Sequence, residues 1–394
     1  MTDQNYQFKP SDRIAGFKPY YFVQLNHKIS KLRSNKMDVI RLDMGSPDLP
    51  PEGFIVDALV ESARKPNTHG YSPIGGTVAY KRAVADYYLR RFGVELDPQS
   101  ETLALIGSKE GLFNLSQALL NPGDIALVPD PGYPVYSAGT IIAGGEVFPL
   151  PLYEKNGFLP DLASIPDRAL QRAKILWLNY PNNPTGATAP MAFFEQAVEF
   201  AREHHILIAH DAPYTEVCFD GYRAPSILQV DGARETAIEF NSLSKAYNMG
   251  GWRLGMAVGN EDVLRYIGTL KSQMDSSTFE PVMAAGAVAL NGDQSWLDGR
   301  NAIYQERRDI ILEALPKAGL QANKPPATIY IWARLPEGTD SMDYCDRLLE
   351  ETGVSTTPGV VYGQAGEGYL RISLGLATER IRKAMQRLVR WSRG

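Results

Sequence analysis

Lys245 stands in the run Asn241-Ser242-Leu243-Ser244-Lys245, and Arg253 follows eight residues later in Gly250-Gly251-Trp252-Arg253. A primary amine can condense with an aldehyde, while neighbouring hydroxyls and a guanidinium can hold a phosphate. Residues 236–240 before this run and 254–259 after it are short and apolar. Both read as buried strands, which puts the lysine at the mouth of the loop between them. Alone, the stretch reads equally well as a solvated loop lysine.

Other residues point to the same kind of chemistry. Gly107-Ser108-Lys109 lies where a strand at 103–106 gives way to an amphipathic helix running to about residue 120. Free backbone N–H groups and the helix dipole make such a junction a seat for phosphate. Tyr133, in Asp130-Pro131-Gly132-Tyr133, can stack on a flat heteroaromatic ring or pack in the core. Asn183, in Asn182-Asn183-Pro184-Thr185-Gly186, can bond a phenolic oxygen or satisfy a local turn.

Asp211 ends the most apolar strand, residues 206–209. A carboxylate there is costly unless it faces a positive charge. A protonated pyridine nitrogen would supply that charge, and holding it protonated makes the ring an electron sink for carbanion chemistry. Tyr214 follows three residues on and could reach the ring's phenolic oxygen. Arg371 interrupts the apolar strand Tyr369-Leu370-Arg371-Ile372-Ser373. Its fork suits a substrate α-carboxylate, or else a structural salt bridge. Gly45 can admit a ligand close to the backbone or form a plain turn. Tyr71, in a Gly/Pro-rich loop, can reach a phosphate or pack.

The surrounding elements follow an α/β pattern. Apolar strands at 103–106, 125–128, 146–148, 174–178, 206–209, 236–240 and 254–258 alternate with helices, which predicts a mainly parallel seven-stranded sheet covered on both faces. Ligands bind at the strand C-termini of such sheets, where these residue clusters fall. The chain then turns to helices at 298–315, 341–352 and 378–391 with strands at 328–333 and 369–373, a smaller α+β domain. The expected division is an N-terminal segment 1–45 contributing to the small domain, a large domain 46–288, and a small domain 289–394.

Composition bounds the function. The 394 residues include 44% hydrophobic and 22% charged, enough for a sizeable core. A net charge of −5 argues against nucleic acid as the main partner. Cys218 and Cys345 lack CxxC spacing and read as reduced thiols, and no signal peptide or apolar run of membrane length is evident. The expectation is a cytoplasmic protein without a membrane partner. The five histidines show no metal-ligand spacing, so no metal is expected; His204 and His205 read as a helix end. No GxxxxGK[ST] or GxGxxG motif occurs.

In order and spacing, Gly45, Tyr71, Gly107-Ser108-Lys109, Tyr133, Asn183-Pro184-Thr185-Gly186, Asp211 with Tyr214, Ser242 with Ser244-Lys245, Arg253 and Arg371 resemble the class I/II aminotransferases of pyridoxal phosphate fold type I. The likeness spans nearly the whole chain. It implies that Lys245 carries pyridoxal 5'-phosphate and shuttles a proton between the substrate α-carbon and C4′. Asp211 would pair with the pyridine nitrogen, Asn183 and Tyr214 with the phenolic oxygen, and Tyr133 would stack on the ring. Ser108, Lys109, Ser242, Ser244 and Arg253 would surround the phosphate, with Tyr71 reaching over from the partner in a homodimer. Gly45, Asn183 and Arg371 would meet the substrate, Arg371 at its α-carboxylate.

Aspartate aminotransferases usually carry a histidine three residues after the stacking aromatic; here that position is Tyr136. Residues 219–226 and 238–253 look most like those of LL-diaminopimelate aminotransferases, while alanine, aspartate and broad-range enzymes share much of the pattern. The resemblance implies ping-pong transfer between an L-amino acid and a 2-oxo acid, with 2-oxoglutarate/glutamate as one pair. A pyridoxal phosphate β-lyase is the rival reaction. A non-catalytic cofactor-sensing regulator is the rival class, and residues 1–40 are too short and too weakly basic for its DNA-binding module. No spacing selects the reader of the substrate's far end among Phe17, Tyr20, Tyr21, Lys271 and Gln273.

Overall fold

The computed structural model describes residues 8–17 and 21–394; Tyr20 lies outside the described residues. Seven strands form the central sheet, in the spatial order Thr102–Leu105, Gly255–Gly259, Ala237–Ser242, Leu207–Asp211, Ala173–Leu178, Ile125–Asp130 and Glu146–Pro151. Gly255–Gly259 runs antiparallel to both neighbours, and the other pairings are parallel.

Both faces of the sheet's inner strands are covered, which is why those strands are mostly apolar rather than alternating. Ala126, Val128, Ile175, Trp177, Ala209, Ile238 and Phe240 pack on one face with residues of helices Ser108–Leu119, Val135–Ala143 and Glu261–Lys271. Leu127, Leu176, Leu178 and Ile208 pack on the other with helices Val78–Phe92, Met191–His204 and Glu280–Asn291. Local signals agree with the helix ends. Thr77 caps Val78–Phe92 by accepting from the Tyr80 N–H, and Gly93 closes that helix in the left-handed region. Met191–His204 ends with His205 at φ +53°, as the sequence reading of that pair expects.

A second core gathers Ile331, Ile372, Leu348, Ile381 and Leu388. Its sheet runs Thr357–Pro358, Tyr369–Ser373, Tyr330–Arg334, Gln321–Ala322, all antiparallel. Helices Trp296–Ala314, Ser341–Thr352 and Thr378–Trp391 accompany it. Near the N-terminus, Ile40–Arg41 pairs in parallel with Val354–Ser355, tying that segment to this core. Tyr214, Val217 and Phe219 also enter it, so the two cores meet just beyond Asp211.

Two differences from the sequence reading have physical causes. The strand expected from residue 328 begins at Tyr330, because Thr328 turns into the left-handed region at φ +75°. Helix Glu280–Asn291 spans the expected boundary at 288, since Met283, Ala285, Ala289 and Leu290 share a core with Tyr80 and Ala83. Among the described residues no helix is long and apolar enough to cross a membrane.

Trp177 is fully buried in the central sheet and stacks on Tyr136 at 4.8 Å between ring centroids. Trp177→Ala is expected to destabilise the fold by about 3–5 kcal/mol. A urea denaturation series should show the midpoint fall accordingly, and an unchanged midpoint would contradict a closed core at that position.

Candidate active site

Loops at the C-terminal ends of the parallel strands and the segment 43–46 enclose a cavity of about 430 Å³. Every residue assigned a cofactor or substrate role from the family resemblance lines it except Tyr71.

Asp211 is the last residue of its strand and is 3% exposed. Its Oδ2 accepts a hydrogen bond from the Tyr136 hydroxyl at 2.7 Å, so a phenol supports the carboxylate. Its Oδ1 has no hydrogen-bond partner among the described residues. Burial pushes the carboxyl up to about 6, with Tyr136 and His210 pulling the other way. A half-satisfied buried carboxylate facing a cavity fits a cationic ring nitrogen. His210, one position earlier, points its ring nitrogens at Glu239 Oε2 (2.9 Å) and the Tyr180 carbonyl (3.0 Å).

Lys245 lies in the short helix Leu243–Ala246, which starts as the strand Ala237–Ser242 ends. Its Nζ donates to the Gly45 carbonyl oxygen. Burial holds the amine below the ordinary ammonium value; Tyr330 opposes this, while Arg371 and Arg253 add to it. Lowering it enlarges the share of free amine, the form that acts as nucleophile or proton acceptor.

A cradle for an anion sits at the other end of the cavity. Gly107, at φ +71°, opens helix Ser108–Leu119, and a Cβ there would run into the Arg253 guanidinium. Gly255 likewise lets its strand approach the Ser108 N–H. Arg253 donates to the Gly250 carbonyl at 2.8 Å and lies 3.5 Å from Ser244 Oγ. Lys109 is lowered by burial and then by Arg253, so two cations converge on one helix N-terminus, an arrangement that fits a phosphate. Ser242 Oγ accepts from the Ser244 N–H at 3.2 Å. The Tyr133 ring lies 5.7 Å from Lys109 Nζ and meets Tyr136 edge-on.

Arg371 is 3% exposed and donates to Asn183 Oδ1 (2.9 Å) and to the Asp43 carbonyl (2.8 Å). Its Nε has no partner among the described residues. No carboxylate side chain is among these bonds, so the fork keeps capacity for a ligand carboxylate. With Oδ1 of Asn183 engaged, the amide nitrogen is the donor left for a ligand.

Sequence reasoning missed Tyr330 and Tyr362, whose rings flank the Arg371 guanidinium at 4.1 and 4.9 Å. It also missed Asn179, which donates to the Asp211 carbonyl at 2.6 Å and accepts from the Asn183 N–H at 2.8 Å. The aromatic-rich strand around Tyr330, two positions from a residue paired with Arg371, was the available signal. Other candidates do not join the cavity lining. Tyr71 is 93% exposed. Lys271 is buried in ion pairs with Asp275 (2.9 Å) and Glu110 (3.3 Å), and Gln273 is exposed. Phe17 and Tyr21 also stay out, whereas Phe22 and Asn26 of helix Tyr21–Ser34 enter.

Residues 37–388 match the family described as aminotransferase class I and II. An LL-diaminopimelate aminotransferase of Moorella thermoacetica is 49% identical over 378 residues, covering 96% of this chain and 97% of its own. One of Desulforudis audaxviator is 50% identical over 381 residues, covering 97% of each. The substrate-bound BacF structure from Bacillus subtilis superposes with a TM-score of 0.94 at 38% identity, covering 98% of both chains. Arrived at from the buried carboxylate, the depressed lysine and the anion cradle, and matched along nearly its full length, this chain belongs to the class I and II aminotransferases, enzymes that work with pyridoxal phosphate.

Proposed function

We propose that this aminotransferase acts on LL-diaminopimelate, with 2-oxoglutarate/glutamate as the second pair, in a ping-pong cycle. The observation that carries the reading is near-half identity, over almost the whole chain, to proteins named LL-diaminopimelate aminotransferase. The cavity also suits a substrate with a second charged end. Besides Arg371 it offers Asn26 and the Arg41–Asp43 ion pair (2.6 Å).

When bound, pyridoxal phosphate supplies an aldehyde for an amine and a ring that withdraws electrons from the substrate α-carbon. Lys245 would hold the cofactor and take the substrate α-proton. Asp211, braced by Tyr136, would pair with the ring nitrogen. Asn183 and Tyr214 would bind the phenolic oxygen, and Tyr133 would stack on the ring. Ser108, Lys109, Ser242, Ser244 and Arg253 would hold the phosphate. Arg371 would fix the α-carboxylate, with Asn183 and Gly45 beside it.

Tyr71 completes the phosphate site of a second copy in a homodimer; its 93% exposure, beside Val78 at 62%, supports that assignment. In this reading the enzyme works on free metabolites in the cytoplasm.

Three measurements test the reading. Lys245→Ala should abolish multiple turnover, and near-normal turnover would overturn the mechanism. The loaded enzyme, given LL-diaminopimelate, L-glutamate, L-alanine or L-aspartate singly without an acceptor, should change its cofactor absorbance fastest with the first two. If alanine or aspartate wins and LL-diaminopimelate is inert, the substrate assignment falls.

The third concerns pH. In the cofactor-free fold the raised Asp211 value costs stability as pH rises from about 4 to about 6, because the folded state then holds the proton more tightly than the unfolded one. Facing a cation requires the ionised form, so affinity for pyridoxal phosphate should fall below about pH 6. Tyr136→Phe removes a donor that favours ionisation and should move that fall to higher pH, while Asp211→Asn should remove this component. Identical binding profiles in all three proteins would refute the role of the pair.

A further inference from the structure

Tyr330 is 2% exposed, lines the cavity and belongs to none of the groups assigned above. It opens the strand Tyr330–Arg334, which pairs with Tyr369–Ser373 in the register Trp332↔Arg371 and Tyr330↔Ser373. Tyr330 and Arg371 are therefore diagonal neighbours on one face of the small sheet, within reach of each other's long side chains. The Arg371 guanidinium carbon lies 4.1 Å from the centroid of the Tyr330 ring. A planar guanidinium over a desolvated aromatic face is attracted by the ring quadrupole and held flat.

The hydroxyl of the same side chain looks toward the opposite end of the site. It lies 3.0 Å from the Tyr214 hydroxyl and 3.5 Å from the Gly45 carbonyl oxygen, which also accepts the Lys245 amine. A Cβ at Gly45 would collide with this hydroxyl, so the glycine makes room for the phenol. Tyr214 donates to the Tyr330 oxygen and the Tyr330 hydroxyl faces the Gly45 carbonyl, so one phenol fixes the position of the other and of the Gly45 segment.

We propose that Tyr330 is a positioning residue with two separable tasks. Its ring seats Arg371 for the substrate carboxylate, and its hydroxyl backs Tyr214 and the segment that holds Lys245. Burial raises both phenols, yet for Tyr330 the fields of Arg371 and Lys245 and the hydrogen bond accepted from Tyr214 outweigh it, in keeping with an oxygen that receives the Tyr214 proton.

Tyr330→Phe keeps the ring and removes the hydroxyl, whereas Tyr330→Leu removes both. Both variants would be loaded with pyridoxal phosphate and assayed with an amino acid that the parent enzyme converts. In Tyr330→Phe the apparent KM for the amino acid should stay within about twofold, while kcat falls about tenfold, the effect of losing one modest hydrogen bond. The pH midpoint of the bound cofactor's absorbance should shift, because the Tyr214 phenol loses the acceptor that fixes its position and its proton. In Tyr330→Leu the apparent KM should rise a further tenfold or so, matching the loss of a buried cation–π contact. Phenylalanine at 330 thus restores carboxylate binding without restoring the absorbance midpoint. An unmoved midpoint and kcat in Tyr330→Phe would overturn the hydroxyl's task; a KM rise in Tyr330→Phe equal to that in Tyr330→Leu would overturn the ring's.

Discussion

A carboxylate sealed at the end of a fully buried strand sets the terms for everything around it. Asp211 sits where water cannot compensate its charge, and one of its oxygens lacks a partner among the described residues. The fold supports it in layers. Tyr136 bonds the other oxygen and rests on Trp177 within the sheet's core. Asn179 fixes the Asp211 carbonyl and, through Asn183, reaches the hydrogen bonds of Arg371. A cationic ring nitrogen facing it, as proposed, would bring the missing positive charge and relieve an electrostatic cost built into the fold.

The two cores divide the chemistry between them. The large sheet supplies Asp211, Lys245 and the helix N-terminus at Ser108, all at strand C-termini, as open α/β sheets do. The small sheet supplies Arg371 and Tyr330 from two paired strands. Neither set is complete alone. Their register is kept by Asn183, which receives Arg371 from one side and is held by Asn179 on the other.

Much of this was legible in the sequence because it is locally encoded. Continuous apolar runs marked the strands that both faces of the sheet bury, and Gly107-Ser108 and the Ser-x-Ser-Lys run stood at their ends. Helices Ser341–Thr352 and Thr378–Trp391 had clear apolar periodicity and were bounded correctly. What escaped depends on distant partners. Lys271 reads as a candidate for the substrate's far end until its neighbours Glu110 and Asp275 are seen closing around it. Tyr330 reads as core in an aromatic strand, since only the tertiary fold brings Arg371 onto its ring and Tyr214 to its hydroxyl. Tyr136 departs from the aspartate aminotransferase pattern in the sequence, which leaves open support of Asp211 through a phenol, and its bond across 75 residues is seen only in the fold.

The backbone between Asp43 and Gly45 takes hold of two side chains at once. The carbonyl of Asp43 receives Arg371, and the carbonyl of Gly45, two residues on, receives Lys245. Two peptide oxygens thereby tie a guanidinium from the small sheet and an amine from the large one to the same stretch of main chain, which the pairing of Ile40–Arg41 with Val354–Ser355 anchors. Any movement of that stretch would be felt at both side chains together.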